Sequence, residues 1–158
     1  MMQRRRGRGV VLLALLLCIA FLGVMVMLGA ESWATTLQRE RETELLFAGE
    51  QYRAAIRHYY FAAPPGQTRV LPASIDELLE DHRYPIPVRH LRRPYPDPIT
   101  GQDWRLVMIG QRISGVYSPS DLSPLKQKNF PVAYAAFEGR ASYREWTFIF
   151  VPPSTRRR

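Results

Sequence analysis

Residues 10–30 read VVLLALLLCIAFLGVMVMLGA, and none of these 21 side chains carries a charge. They follow a basic leader, residues 1–9, that contains four arginines. An apolar run of this length predicts a transmembrane helix, because about 20 helical residues cross the hydrocarbon core of a bilayer. By the positive-inside rule, the arginines predict a cytoplasmic N-terminus. We therefore expect a single-pass membrane protein whose remaining residues face away from the cytoplasm.

A cleaved secretory signal is the alternative interpretation of the same segment. Signal peptides have an apolar core of about 7–15 residues and end in a small-x-small cleavage site. The apolar run here is longer, and the best cleavage candidate, residues 32–34, places Trp33 between the small residues. The sequence therefore favours a retained anchor.

The net charge of +8 is concentrated at the two ends of the chain. Seven basic residues lie in the leader and in a basic tail, residues 154–158. Terminal arginine clusters are typical of topology signals and solvated tails, and a cluster beside a membrane helix also attracts the lipid bilayer. We expect no nucleic-acid binding. The single cysteine, Cys18, lies in the apolar run, so the rest of the chain must fold without disulfides.

The helix is predicted to continue beyond the apolar run as an amphipathic helix over residues 31–63. Its first part, residues 38–44, is charged on all sides and is expected to be solvated. Pro64 and Pro65 end the helix. Apolar side chains recur at helical spacing and predict one buried face: Leu45, Ala48, Tyr52, Ala55, Ile56 and Tyr59.

Residues 64–153 are predicted to form the rest of a small head domain. Ser74 and Glu77 have the spacing of a capping box and predict a short helix over residues 75–81. Three strand patterns follow a proline-rich stretch, at residues 103–109, 112–117 and 143–151. The predicted fold class is α+β, with a long N-terminal transmembrane helix continuing into a head with a small three-stranded antiparallel sheet. The helical face should pack on five side chains: Trp104, Leu106, Val116, Trp146 and Phe148.

Three motifs carry a resemblance to a known family. Residues 44–53 read ELLFAGEQYR, residues 71–79 read LPASIDELL, and residues 95–101 read YPDPITG. With the leader ending in glycine and the apolar helix, they resemble type IV pilin-like proteins, and more closely the major-pseudopilin-like branch of type II secretion pseudopilins. The resemblance implies a structural subunit for protein export in the inner membrane and periplasm. Its partners would be other pseudopilins or inner-membrane components of the secretion system.

The resemblance also implies a processing site. In that family, prepilin peptidase cleaves after the leader glycine, which corresponds to Gly9, and leaves Val10 as the new, methylated N-terminus. The fifth mature position usually carries a glutamate that pairs with a neighbour's N-terminal amine, but here it is Ala14. The subunit is therefore expected either at a filament tip or outside the usual filament packing. The family's calcium loop corresponds to residues 118–124, where one acid is too few for Ca²⁺, so no metal site is predicted.

No pattern of catalytic residues accompanies these features. The three histidines lack the spacing of a metal site, and no serine lies in a nucleophile elbow. We therefore predict no catalytic residue, no cofactor and no enzymatic activity. The sequence leaves two functions open. One is a pilin-like structural subunit; the alternative is a non-polymerising, membrane-anchored periplasmic binding or accessory module with a pilin-like fold.

One basic run between prolines is a candidate partner loop. It contains Arg89, His90, Arg92 and Arg93. A solvated basic loop is one interpretation of such a run. A docking surface for an acidic partner is the other.

Overall fold

The computed structural model describes residues 6–153, and for residues 6–8 and 26–32 it describes the backbone alone. The chain is α+β, with a three-stranded antiparallel sheet and helices. It divides into two compact units, Met1–Gln38 and Arg39–Arg158. The regular elements are α1 (Arg6–Phe61), α2 (Asp76–Leu79), β1 (Arg105–Ile109), β2 (Arg112–Tyr117) and β3 (Thr147–Ile149), with 3-10 helices at Val132–Phe137 and Tyr143–Glu145.

Within the residues that the structure describes, no helix is long and apolar enough to cross a membrane. This finding contradicts the predicted localisation, a single-pass inner-membrane protein with a cytoplasmic N-terminus and a periplasmic C-terminal domain. The prediction relied on the whole uncharged run of residues 10–30. The side chains of residues 26–32 lie outside the described part, so the described apolar run ends at Met25, short of the roughly 20 residues of a typical spanning helix.

α1 ends shortly before the two prolines that were predicted to stop it. The last helical residue is Phe61, two residues before the predicted end, and the Ala62 amide still donates to the His58 carbonyl at 2.9 Å. Proline at position 64 disfavours helical geometry for the residue before it. The chain then turns at Gly66, whose φ of 85° suits glycine.

The second helix, α2, is shorter than the predicted range of residues 75–81. Only part of the expected capping box forms, with the Glu77 amide 3.4 Å from the Ser74 hydroxyl. The Glu77 carboxylate instead accepts hydrogen bonds from the Ala73 amide at 2.9 Å and the Tyr59 hydroxyl at 2.7 Å. Glu77 therefore ties α2 to α1 rather than closing its own cap.

The sheet has the strand order β1-β2-β3, and both pairings are antiparallel. The hairpin between β1 and β2 turns at Gly110, as predicted, with a φ of 61°. β3 is much shorter than the predicted range of residues 143–151, because its first part forms a 3-10 helix, Tyr143–Glu145. β1 lies at the edge of the sheet, and most of its side chains are exposed.

The core of the head forms between one face of α1 and the inner face of the sheet. All six predicted α1 positions are buried, and so are Trp104, Val116, Trp146 and Phe148. The fifth predicted sheet residue, Leu106, is 41% exposed. The prediction for Leu106 was wrong because β1 is an edge strand that α1 does not cover. The core also includes residues outside α1 and the sheet, among them Leu71, Leu78, Leu91, Phe137 and Tyr143.

Gly49 permits the closest contact between α1 and the sheet. A methyl group at this position would overlap the Phe148 ring. We expect Gly49→Ala to lower the free energy of unfolding by about 1–3 kcal/mol, because overpacking a filled core displaces its side chains. Urea denaturation measures the change. Gly23→Ala is the matched control, since nothing lies within 4 Å of a Cβ there and alanine favours a helix. Equal effects of the two substitutions would contradict this account of the packing.

Candidate functional site

The predicted processing and assembly residues lie near the beginning of α1. Gly9, Val10 and Ala14 are all exposed, and Val10 is exposed by 68%. The following residues are also exposed, and those with large apolar side chains are exposed by 50–69% as far as Met25. Cleavage after Gly9 and the role of position 14 stay predictions. The geometry does show that α1 carries an uncovered apolar surface on consecutive residues.

The predicted partner loop does not form one basic surface. Arg89, Arg92 and Arg93 are exposed. The His90 side chain, by contrast, is only 1% exposed. The intervening Leu91 belongs to the core. The sequence groups His90 with the arginines because a loop has no regular repeat. Nothing in the sequence pattern therefore tells which of its side chains are buried and which are exposed.

His90 belongs to a buried charged cluster with Asp81 and Arg83. Its Nε2 lies 3.0 Å from the Asp81 Oδ2, and the side chain of Asp81 is 1% exposed. The Arg83 guanidinium makes a bidentate pair with the same carboxylate at 2.7–3.1 Å. Arg83 also donates to the Tyr59 carbonyl at 2.8 Å and lies 3.6 Å from the centre of the Tyr59 ring. The cluster thereby fixes the loop after α2 to the end of α1.

These contacts set the protonation of the groups involved. Burial alone opposes ionisation of Asp81, but hydrogen bonds from Arg83 and His90 outweigh it and lower the pKa of Asp81 to about 2. Burial and the hydrogen bond to Glu77 raise the pKa of Tyr59. The hydrogen bond to Asp81 raises the pKa of Arg83. Asp81 and Arg83 are therefore both charged at neutral pH, which fits a structural ion pair.

The Asp81 cluster predicts a pH dependence of stability. A carboxyl whose pKa is lower in the folded state stabilises that state above its unfolded pKa, near 3.8, and loses this contribution as the pH falls towards 2. We expect Asp81→Asn to be less stable than the parent by about 2 kcal/mol at pH 7, with the difference shrinking between about pH 4 and 2. Urea titrations at several pH values test this. Asp121→Asn, at an exposed ion pair, is the control and should show little difference at any pH.

An open groove lies around Tyr95 in the head, and we call it the Tyr95 groove. Its volume is about 420 Å³, within the range of about 300–1,000 Å³ typical of ligand pockets. Tyr52 and Trp104 are nearly fully buried and form its floor. The groove is lined by these two residues together with Ile75, Pro94, Tyr95, Pro96, Asp103 and Leu106.

Hydrogen bonds hold the aromatic floor of the groove in place. The Tyr95 carbonyl accepts from the Tyr52 hydroxyl at 3.0 Å and from the Trp104 Nε1 at 2.9 Å. The Tyr95 amide donates to the Tyr52 hydroxyl at 3.1 Å. The polar atoms of both floor residues are therefore satisfied within the chain, and the groove offers mainly the apolar faces of their rings.

The YPDPITG motif, residues 95–101, contributes Tyr95 to the groove, and Asp97 holds the turn that follows. Asp97 is fully buried, and its carboxylate accepts hydrogen bonds from the hydroxyls of Thr100 at 2.6 Å and Ser118 at 2.8 Å. The Asp97 carbonyl also accepts from the Gly101 amide at 2.7 Å. The aspartate closes the turn before β1 and joins it to the end of β2. Its role in this structure is to hold the turn.

Sequence reasoning missed the buried carboxylate of Glu42. The charged stretch of residues 38–44 was predicted to be solvated, but Glu42 is only 4% exposed. Its carboxylate accepts from the amides of Leu125 at 2.5 Å and Lys126 at 3.2 Å, and from the Tyr143 hydroxyl at 2.8 Å. The long connection after β2 is thereby attached to α1. No local signal marks Glu42, because its partners lie at least 83 residues along the chain.

The remaining candidate residues do not assemble into a reactive site. His58 and His82 are exposed, and the centre of the His58 ring lies 6.1 Å from that of His90. Among residues 9–25 and 33–153, no three His, Cys, Asp or Glu side chains are grouped so as to hold a metal ion. The chain matches no family model, and no curated protein or solved structure is significantly similar to it.

Proposed function

We propose that the chain is a pilin-like structural subunit of a type II secretion or type IV pilus-type machine. It acts in protein export by assembling with copies of itself or with other pseudopilins. One observation carries the proposal: the large apolar side chains of α1 from Val10 to Met25 are exposed by 50–69%. Consecutive helical residues point in all directions around the axis, so this segment is apolar on every side.

A helix that is apolar on every side is buried against other elements in its working state. Exposed apolar surfaces of this extent mark interaction sites in folded proteins. Packing against the matching helices of other subunits covers such a surface without any further element of this chain. The working state of the subunit is therefore an assembly.

The three motifs behind the family resemblance support the same function. Residues 44–53 supply the α1 face that packs on the sheet, and residues 71–79 supply α2. Residues 95–101 form the turn that Asp97 closes. Each motif contributes to the stability of the head rather than to a reactive centre. This pattern favours a structural role over a catalytic one.

A second candidate function is a binding or accessory module that does not polymerise. Ala14 favours it, because the glutamate that pairs with a neighbour's N-terminal amine is missing at this position. An amine without that partner is costly to bury, which weakens filament packing of the usual kind. The head would then present its surfaces to other proteins as a monomer.

Cys18 provides a direct test of helix packing between copies. It is the only cysteine of the chain and is exposed on α1. Mild oxidation of cells that produce the full chain should give a disulfide-linked dimer, and Cys18→Ser should abolish it. Ala14→Glu should alter the yield of this dimer, since the carboxylate would meet a neighbour's amine. No dimer at any oxidant concentration would count against the proposal and favour the non-polymerising module.

Processing of the leader is a separate prediction from the resemblance. We expect cleavage between Gly9 and Val10 in cells that contain a prepilin peptidase, because Gly9 closes a basic leader beside an apolar helix. Mass spectrometry of the native N-terminus, with and without the peptidase, measures it. Recovery of intact Met1 or Met2 from peptidase-containing cells would contradict the prediction.

A further inference from the structure

We propose that the Tyr95 groove binds residues 151–158 of a second copy of this chain. The contact joins the head of one subunit to the segment that follows β3 in the next. It goes beyond the proposed function, because it uses no residue of the apolar segment of α1 and forms independently of that segment.

The groove has the character of a preformed site. Its floor residues, Tyr52 and Trp104, are fixed by their hydrogen bonds to Tyr95. Leu106 and Pro94 are exposed beside them. A rigid receptor loses little conformational entropy on binding, which favours affinity. Grooves lined by aromatic rings recognise proline-rich segments in polyproline II conformation, because such segments are already extended and present apolar rings.

The sequence of residues 151–158, VPPSTRRR, has the matching properties. Val151 is 73% exposed, and Pro153 is also exposed. Two consecutive prolines favour an extended backbone, since a proline restricts the residue before it. Three arginines follow, and no acidic residue is present. The two proline rings suit the aromatic groove, and the arginines after them suit the Asp103 carboxylate that lines it.

The groove and residues 151–153 lie at opposite ends of the sheet. Trp104 precedes β1, and the first residue of β1, Arg105, pairs with Tyr117 at the far end of β2 from the hairpin. β3 runs back towards the hairpin, where the Phe150 amide donates to the Ser114 carbonyl at 2.8 Å. Val151 therefore leaves the sheet away from the groove of its own copy. A neighbouring copy placed head to tail brings the two together, and such contacts can repeat along a filament.

The charges around the groove are of both signs. Asp103 is an exposed carboxylate in the groove. Glu44 lines an adjoining cavity of about 270 Å³ that shares Tyr95 with the groove. Arg93 and Arg105 lie nearby and oppose the arginines of the segment. We therefore expect the prolines to supply most of the affinity and the carboxylates a smaller share.

Cysteine cross-linking between two differently tagged full-length chains tests the contact. Both chains carry Cys18→Ser; one also carries Leu106→Cys in the groove, and the other Val151→Cys. Co-expression followed by mild oxidation should yield a disulfide between the two tags. Val132→Cys replaces Leu106→Cys in the matched control, since Val132 is 95% exposed and does not line the groove. A control yield equal to that of the groove pair would overturn the proposal.

Two further variants report the chemistry of the contact. Replacing Pro152 and Pro153 by serine in the Val151→Cys chain should lower the yield on the order of tenfold, and this change leaves the groove intact. Asp103→Asn should lower it about two- to fivefold, whereas Glu80→Gln, outside the groove, should not. A yield unaffected by the prolines would refute the inference.

The outcome is distinguishable from that of the proposed function. A Cys18 disulfide in the parent without a cross-link between the groove and residue 151 would leave helix packing in place and reject the head-to-tail contact. A cross-link to the groove without a Cys18 disulfide would support this contact and reject packing through α1.

Discussion

Replacing Glu42 with alanine is expected to lower the free energy of unfolding of the full chain by about 3–5 kcal/mol. The substitution removes the carboxylate that accepts hydrogen bonds from the Leu125 amide, the Lys126 amide and the Tyr143 hydroxyl. Each buried donor without a partner costs about 1–3 kcal/mol. The part of the loop around Leu125 and Lys126 should also loosen from α1, because Glu42 binds their amides. Urea denaturation followed by circular dichroism measures the change.

Two matched variants separate this effect from a general loss of charge. Glu40→Ala removes an exposed carboxylate from the same helix and should change stability by less than about 0.5 kcal/mol. Glu42→Gln keeps the shape and one acceptor oxygen, so its effect should lie between the two. An alanine variant at position 42 that unfolds at the same urea concentration as the parent would show that the loop is held by other contacts.

Truncating Trp146 to alanine is expected to lower stability by about 3–5 kcal/mol, the usual range for a large aromatic residue in a core. Trp146 is fully buried. Its ring stacks on Phe137, with centroids 5.5 Å apart and planes within 3°. It also meets Phe130 and Tyr143 edge to face at 5.2 and 5.3 Å. The cavity left by the indole cannot be filled without moving these rings.

Trp33 provides the control for this prediction, because its side chain is 77% exposed. Trp33→Ala should melt within a few degrees of the parent, while Trp146→Ala should melt far below it. Since a domain is stabilised by only about 5–15 kcal/mol, the melting scan of Trp146→Ala should start at low temperature, where the variant is still folded. Equal melting temperatures for the parent and Trp146→Ala would place the core elsewhere.

Local patterns were enough to predict most of the secondary structure. The helical face from Leu45 to Tyr59 followed from spacing alone, because every apolar position at that period must point the same way. β2 has the predicted bounds, and its turn with β1 lies at the glycine that supplies a positive φ. Trp146 and Phe148 were predicted as core residues from their alternation in a strand. These features depend on neighbours within one turn or one strand.

Features that depend on distant partners were not predicted. Glu42 sits in a run of charges that resembles a solvated helix, and only the fold brings the loop after β2 to it. His90 has the same local surroundings as the exposed Arg89, yet its side chain is buried on Asp81. Leu106 has a strand pattern, but its exposure depends on which strand forms the edge. In these cases, whether a residue is buried depends on which distant segments pack against it, and the spacing of apolar residues along the sequence does not show this.

The candidate docking groove was also beyond sequence reasoning. Its floor joins Tyr52 of α1 to the Tyr95 backbone, 43 residues further along the chain. The proline-rich stretch predicted an ordered loop. In the structure, Pro94 and Tyr95 of this loop line the Tyr95 groove beside the buried rings of Tyr52 and Trp104. Both interpretations of the basic run, a solvated loop and a docking surface, group His90 with the arginines, whereas the structure exposes the arginines and buries the His90 side chain.

The number of copies in the native assembly tests the proposed function most directly. Formaldehyde cross-linking in cells that produce the full chain, followed by denaturing gel separation and mass spectrometry of the bands, measures it. We predict a ladder in which successive bands contain one further copy of this chain or another pilin-like subunit, and we predict that polar substitutions at Leu13 and Leu17 shorten the ladder. A chain recovered only as a monomer under conditions that cross-link a known filament subunit would contradict a structural role in assembly.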